Sequence, residues 1–199
     1  DLMRSFSLSD NSINSIYKDY EGGIWIGTMF GGVNYLPNRI LTFAKYVPGS
    51  DPYSLNTKRI RGLAEDNNGC IWIGTEDNGV NVLDPRTGKV HQIYDNVPGR
   101  LITLSVKHYE NHIYVGLFKQ GMNDISIPGE HLKYVSDKDL GIEEGSVYSF
   151  LKDSKGRTWI GPGWGLYVSQ PKERKFHRVE EVGYNWVFDI MEARDGTIW

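Results

Sequence analysis

The sequence has little of the features that mark several classes of protein. It contains a single cysteine in 199 residues, which excludes an internal disulfide and leaves the compartment undecided. Its formal net charge is only −3, so it lacks the basic field that attracts nucleic acid or anionic membranes. No run approaches the roughly 20 apolar residues of a membrane span. A Gly-Lys phosphate loop and a Ser-His-Asp order are also missing.

What the sequence has in quantity is glycine and aromatic residues. The 23 glycines and 13% aromatics suit many short strands joined by tight turns. A short strand with an aromatic anchor recurs at nearly even spacing, at Trp25, Trp72, Tyr114, Trp159 and Trp199. Successive anchors stand 47, 42, 45 and 40 residues apart. A repeat of 40–50 residues is typical of β-propeller blades.

The positions around each anchor repeat as well. An aliphatic residue stands twelve residues before every anchor: Ile13, Ile60, Ile102, Val147 and Val187. An aspartate stands six residues before three of the anchors, where its carboxylate can accept hydrogen bonds from backbone N–H groups of a tight turn. We therefore predict a structural role for the repeat residues Asp19, Trp25, Asp66, Trp72, Tyr114, Asp153 and Trp159.

The pattern predicts an all-β fold, namely part of a β-propeller built from four-stranded antiparallel blades. The first strand of each blade is expected to be buried on both faces between neighbouring sheets. About four complete blades are predicted, at 10–47, 57–95, 99–136 and 144–180. Residues 1–9 would finish a preceding blade and residues 184–199 would begin another. Such an open arc exposes apolar end faces, so marginal stability or self-association is expected.

The first two copies carry a longer motif. It reads Ser-Leu-x4-Ile-x2-Ile/Leu-x2-Asp-x2-Gly-x-Ile-Trp-Ile-Gly-Thr, and spans residues 7–28 and 54–75. This motif resembles the two-component regulator propeller repeat, which is typical of periplasmic sensor regions of bacterial hybrid two-component systems. The third copy is degenerate, with His108 for Asp, Asn111 for Gly and Tyr114 for Trp. The fourth copy lacks the threonine after Gly161.

The resemblance implies several further properties. Repeats of this family close into seven-bladed propellers, whose ligands are typically oligosaccharides. The chain would then be periplasmic, as the sensor region of an inner-membrane histidine kinase, and would have no enzymatic activity or cofactor of its own. Its partners would be the remaining blades of the parent chain and a second copy of the parent, in a homodimer. No contact with nucleic acid is expected, and a membrane tether would come only through the parent chain.

Ligand-binding residues are predicted on the loops where the blades differ most. Sugar recognition needs flat aromatic faces beside amide, carboxylate and guanidinium groups. Residues of this kind on the loops between second and third strands and between blades are Phe30, Arg59, Asn78, Phe118, Gln120, Trp164, Tyr184 and Trp186. Variable loops on a regular scaffold are where function tends to lie.

Two other functions remain open. One is a propeller enzyme of the lyase type acting on a polysaccharide or an antibiotic, which would need a histidine and an acid converging on one rim. The five histidines are instead scattered through the repeat. The other is a protein-binding scaffold. The pair His108 and His112 with Glu110 suggests a metal site, but a structural turn is the favoured interpretation, as is a core role for Cys70.

Overall fold

The structure, a computed structural model, describes residues 8–38, 44–93, 102–173 and 175–199. The chain divides into two compact units, Asp1–Lys45 and Tyr46–Trp199. All named strands pair antiparallel, which confirms the predicted fold class. Residues 1–7 of the predicted preceding blade and residues 39–43 of the predicted blade 10–47 lie outside the described residues. Within the described ranges, no helix has both the length and the apolar character needed to cross a membrane.

The N-terminal unit contains the first blade. Its described strands are β1 (Ile13–Lys18), β2 (Ile24–Thr28) and β3 (Val33–Leu36), in that order across the sheet. The prediction that the first strand is buried on both faces is wrong here, because every residue of β1 is exposed and Ile16 is 65% accessible. Within this unit the named strands form a single layer, so the sheet has no second layer of its own to bury its faces.

The C-terminal unit contains three four-stranded blades. The second blade has β4 (Ile60–Glu65), β5 (Ile71–Thr75), β6 (Val80–Leu83) and β7 (Val90–Ile93). The third has β8 (Thr103–Tyr109), β9 (His112–Leu117), β10 (Met122–Ser126) and β11 (His131–Val135). The fourth has β12 (Ser149–Lys152), β13 (Thr158–Gly161), β14 (Tyr167–Ser169) and β15 (His177–Arg178). Strand order within each sheet follows the chain.

The core of this unit lies between neighbouring blades. Trp72, Val82, Ile113 and Ile125 belong to one buried cluster, formed by the second and third blades. A second cluster contains Met122, Val147, Phe150 and Ile160, from the third and fourth blades and the segment before β12. At both interfaces neighbouring blades bury apolar faces against each other, as in radially stacked sheets. Strand β4 departs from the prediction that first strands are buried on both faces, because Ile60 and Leu63 are 40% and 63% accessible.

The links between blades contain the short helical segments. Helix α1 (Asp137–Leu140) follows the third blade and begins at a capping box, in which Ser136 and Asp139 bond to each other's backbone N–H groups. A 3₁₀ turn, Glu180–Val182, follows the fourth blade. Beyond it, a single bridge pairs Glu192 with Ile198, at the start of the predicted further blade.

The turns between first and second strands explain the Asp-Trp repeat. In the fourth blade Asp153 Oδ1 accepts hydrogen bonds from the backbone N–H groups of Lys155 and Arg157, as predicted. Its other oxygen accepts a bond from the indole Nε1–H of Trp159 at 2.9 Å. Equivalent bonds join Asp19 to Trp25 and Asp66 to Trp72, at 2.9 and 2.8 Å. The aspartate thus fixes both the turn and the ring that packs the blade.

Candidate functional site

Loops between second and third strands lie beside the links that precede their blades. In the second blade the backbone N–H of Glu76 donates to the carbonyl of Arg59 at 2.9 Å. In the fourth, the N–H of Gly163 donates to Glu144 Oε2 at 3.0 Å. In these two blades the bonds place the two kinds of loop on the same edge of the sheet.

The predicted ligand-binding residues are distributed over several blades. Phe30 lies in the N-terminal unit and is exposed. Arg59 is exposed and Asn78 is half-buried on the second blade, whereas Phe118 and Gln120 lie together on the third. Trp164, Tyr184 and Trp186 are exposed in the fourth blade and the segment after it. The structure brings only some of the eight together.

The segment after the fourth blade supplies most of a compact aromatic group. The ring centroids of Trp186 and Tyr148 are 5.2 Å apart, and those of Trp186 and Phe188 are 5.6 Å apart. Tyr148 and Phe188 meet edge to face at 5.9 Å. Half or more of the surface of both Trp186 and Phe188 remains accessible. Tyr184 lies apart from this group, with the guanidinium of Arg178 3.6 Å from its ring centroid.

The aromatic group borders a cleft of about 260 Å³, which we call the inner cleft. The first strands β4 and β8 lie side by side here, and β8 also lies beside β12. The polar and aromatic side chains of the inner cleft come from Arg61, Lys107, Tyr148, Phe188 and Asp189. A cleft bordered by aromatic rings and by groups of both charges can hold a ring while donating and accepting hydrogen bonds.

The charged groups of the inner cleft are arranged in pairs. The guanidinium of Arg61 lies 3.1 Å from Glu76 Oε1, and Lys107 Nζ lies 3.3 Å from Asp189 Oδ1. Burial raises the pKa of Tyr148, and the carboxylate of Glu144 raises it further. The phenol therefore remains a neutral hydrogen-bond donor at physiological pH. The site combines a neutral donor with balanced charges.

The sequence pointed to Trp186, which packs against two rings of the inner cleft, but not to the residues that line the cleft. Three of the lining residues, Arg61, Tyr148 and Phe188, lie directly after the aliphatic residue that stands twelve before each anchor. That position differs in every copy: Asn14, Arg61, Thr103, Tyr148 and Phe188. Variation inside an otherwise regular strand was the available signal, because first strands lie side by side in stacked blades.

The histidine and cysteine candidates have other contacts. His108 Nε2 lies 2.7 Å from the backbone carbonyl of Glu110, in its own turn. His112 Nδ1 lies 2.6 Å from Asp124 Oδ1 on the neighbouring strand. Cys70 packs against the cluster between the second and third blades, and burial raises the pKa of its thiol. These contacts account for the three side chains without a ligand.

Comparison with solved structures gives the same fold. The extracellular domain of the putative hybrid two-component system BT3049 of B. thetaiotaomicron is 24% identical, with a TM-score of 0.66 over 97% of this chain and 26% of that one. That of BT4673 from the same organism is 18% identical, with a TM-score of 0.61 over 92% and 25%. PorZ of Porphyromonas gingivalis, an essential surface component of the type-IX secretion system, is 16% identical, with a TM-score of 0.55 over 94% and 30%.

The chain thus spans about a quarter of the length of the two extracellular domains. No curated protein sequence matches it. A family profile described as the two component regulator propeller matches residues 7–30 and 54–77. These are the two segments that carry the long motif, and each ends just beyond a second strand. Two segments of the chain thus match the repeat of the two-component regulator propeller family, and the blades have the β-propeller fold of the solved structures.

Proposed function

We propose that this chain is part of the periplasmic sensor propeller of a hybrid two-component system and binds an oligosaccharide without catalysis. The observation that carries the proposal is the inner cleft, which Tyr148 and Phe188 line together with Arg61, Lys107 and Asp189, and against whose aromatic rings Trp186 packs. Aromatic faces suit the apolar C–H surfaces of a sugar ring, and the flanking charged groups suit its hydroxyls. The family of the repeats supports a sensory role.

The proposal extends to the complete protein. The predicted blades at 10–47, 57–95, 99–136 and 144–180 would complete a seven-bladed propeller together with blades from elsewhere in the parent chain. The parent would be a homodimeric inner-membrane protein carrying a histidine kinase. A ligand biases such a kinase only if it binds two arrangements of the sensor with different affinity. Phe30, Arg59, Asn78, Phe118, Gln120, Trp164 and Tyr184 remain predicted contacts for longer oligosaccharides.

Calorimetric titration of the complete periplasmic region against a panel of oligosaccharides tests the proposal. At least one oligosaccharide should bind, and the variant Phe188→Ala, at a residue that lines the inner cleft, should weaken that binding about tenfold or more, which corresponds to ~1.4 kcal/mol. The matched control is Tyr53→Ala, another exposed aromatic residue of the same unit, which does not line the inner cleft. It should bind like the unaltered protein.

The same titration separates the other two functions. Release of an unsaturated or cleaved product, detected by chromatography, would identify a lyase and overturn the sensor proposal. Absence of binding to every oligosaccharide would favour a scaffold for proteins. If binding occurs but Phe188→Ala leaves it unchanged, the inner cleft is not the site.

A further inference from the structure

The two interfaces between blades in the C-terminal unit differ in chemistry. Between the second and third blades, Trp72 and Val82 face Ile113 and Ile125. All four side chains are buried within one apolar cluster. The gap that Val80, Ile125 and Leu132 line at this interface has a volume of only about 10 Å³. This interface is closely packed.

The same four positions carry polar groups at the next interface. Strand pairing aligns Trp72 with Val82, and one blade later it aligns Tyr114 with Asp124. On the facing blade it aligns Ile113 with Ile125, and one blade later Thr158 with Ser169. Each of these four apolar side chains is therefore replaced by one that bears a hydroxyl or a carboxylate.

These exchanges open a cleft of about 240 Å³ between the third and fourth blades, which we call the interblade cleft. Its apolar wall comes from Met122, Val135, Phe150 and Phe176. The Tyr114 ring stacks on Phe150 with centroids 4.5 Å apart and an interplanar angle of 16°. The volume is below the roughly 300–1,000 Å³ of pockets for drug-sized ligands, so a smaller molecule fits.

Groups that donate and groups that accept both line the interblade cleft. Asp124 and Glu173 supply carboxylates, and Lys152 supplies an ammonium 5.7 Å from the Tyr114 ring centroid. Asp124 is oriented by His112 at 2.6 Å. Burial, followed by the charges of Asp124 and Glu110, raises the pKa of Tyr114 to about 12, so its hydroxyl stays protonated.

We propose that the interblade cleft binds a single neutral sugar residue, a hexose. An aromatic and apolar wall suits one face of a pyranose ring, while carboxylates, an ammonium and hydroxyls suit its hydroxyl groups. Groups of both signs line the cleft, so an anionic ligand would meet Asp124 and Glu173 and a cationic ligand would meet Lys152. A neutral polyol meets no like charge. This site is separate from the inner cleft and does not depend on the oligosaccharide proposal.

The test uses the complete protein with glucose, galactose and mannose as probes, and glucosamine and glucuronate as charged comparators. Ligand-observed NMR should detect at least one neutral hexose with a dissociation constant in the millimolar range, as expected for about a dozen non-hydrogen atoms. Its resonances should show contacts with the aromatic protons of Tyr114. Both charged sugars should bind at least about tenfold more weakly than the best neutral one.

A variant that gives the interblade cleft the apolar residues of the interface between the second and third blades provides the decisive comparison. The double variant Thr158→Ile, Ser169→Ile places isoleucine at the two positions that correspond to Ile113 and Ile125. It should abolish hexose binding while the melting temperature is maintained. The control Thr87→Ile makes the same kind of exchange in the exposed β6–β7 turn and should bind normally. Tyr114→Trp, which introduces the residue of the second blade, should also abolish binding, and serves if the double variant does not fold.

Three results would overturn the proposal. One is that no neutral hexose binds at tens of millimolar. Another is that glucosamine or glucuronate binds as tightly as the best neutral hexose. The last is that the folded double variant Thr158→Ile, Ser169→Ile, or Tyr114→Trp in its place, still binds the hexose with unchanged affinity.

Discussion

At the scale of single residues, the aspartate of each turn accepts more hydrogen bonds than those from backbone N–H groups that the sequence predicts. Asp153 accepts bonds from two backbone N–H groups, from the Arg157 side chain and from the Trp159 indole. Its own side chain has no accessible surface. Because hydrogen bonds to a buried charged group are stronger than neutral ones, this carboxylate contributes more than an ordinary turn residue.

We predict that Asp153→Ala lowers the free energy of unfolding by about 3 kcal/mol, because several buried donors lose their acceptor. Urea unfolding followed by circular dichroism measures the change. The control is Asp77→Ala, at an exposed loop position, for which the expected change stays within about 0.5 kcal/mol. Equal effects of the two substitutions would contradict the structural role of Asp153.

The same residue should make stability depend on pH. Burial is the largest single influence on the pKa of Asp153 and raises it, but the bonds from Trp159 and Arg157 together outweigh burial and lower it below 3.8. A folded-state pKa below the unfolded value gives a stabilisation that is complete above the unfolded pKa and is lost as pH falls through the folded pKa.

Thermal melts between about pH 5 and pH 2 should therefore show a smaller acid-induced loss for Asp153→Ala than for the unaltered chain. The two proteins should differ most at the upper end of this range and converge at the lower end. A constant difference in melting temperature across the whole range would show that protonation of Asp153 does not contribute.

At the scale of the elements, two glycines with the same backbone φ angle allow the cost of steric overlap to be measured separately from the cost of the backbone conformation. Gly121 and Gly156 both have φ of +77°. A Cβ on Gly156 would contact only Pro171, at an ordinary 3.6 Å. A Cβ on Gly121 would overlap the backbone of Val135, Ser136 and Asp137, which cannot move like a flexible side chain.

We predict that Gly156→Ala destabilises the chain by about 1–2 kcal/mol, the cost of the left-handed backbone region. Gly121→Ala should cost a further 1–3 kcal/mol, roughly the penalty of overpacking. Chemical denaturation of both variants provides the measurement. If the two substitutions cost the same, the link after the third blade moves aside more easily than its packing suggests.

How far the sequence predicts the elements depends on whether the repeat is preserved. The repeat predicts strands at Ile13–Lys18, Val33–Leu36 and Val80–Leu83, and the structure has strands with these bounds. A glycine stands seven residues after each of the first three anchors but only six after the fourth, at Gly165. The repeat predicts that the third strand of the fourth blade begins at Leu166, whereas in the structure it begins one residue later, at Tyr167. Helix α1 could not be predicted from periodicity, because four residues form only one turn.

The candidate sites follow the same division. Trp186 lies on a loop, where variation is expected, so its type and position indicated a binding role. Tyr148 lies directly before the first strand of the fourth blade and Phe188 in the segment after that blade, and their convergence depends on which blades are neighbours. The interblade cleft becomes apparent only when cross-strand residue pairs are compared from one blade to the next. The replacement of the tryptophan anchor by Tyr114 shows that this position has changed, but it does not show whether other side chains fill the space beside it.

At the scale of the whole molecule, the two units differ in how much apolar surface they bury. In the N-terminal unit Ile16, Tyr17, Val33 and Leu36 are exposed, and Trp25 is 42% accessible. In the C-terminal unit Trp72 is 1% accessible, at the interface between two blades. Buried apolar surface is the main source of stability, so the units should open with different free energies.

We predict that amide hydrogens of β1–β3 exchange with solvent at least about tenfold faster than those of β8 and β9, a difference of ~1.4 kcal/mol in opening free energy. Hydrogen exchange with mass spectrometry measures both regions in one sample. Trp72→Ala should accelerate exchange in β8 and β9, because Trp72 packs against Val106 and Val115. Uniform exchange throughout the chain would contradict the division into two units.

The distribution of the six tryptophans has a practical consequence for spectroscopy. Trp72 and Trp159 are buried with their indole N–H groups bonded to carboxylates, whereas Trp25, Trp164, Trp186 and Trp199 are exposed. Intrinsic fluorescence should therefore contain a blue-shifted component that resists acrylamide quenching and a red-shifted component that does not. A molecule bound beside Trp186 would alter only the red-shifted component. The red-shifted component therefore reports ligand binding, and the blue-shifted component reports separately whether the blades remain folded.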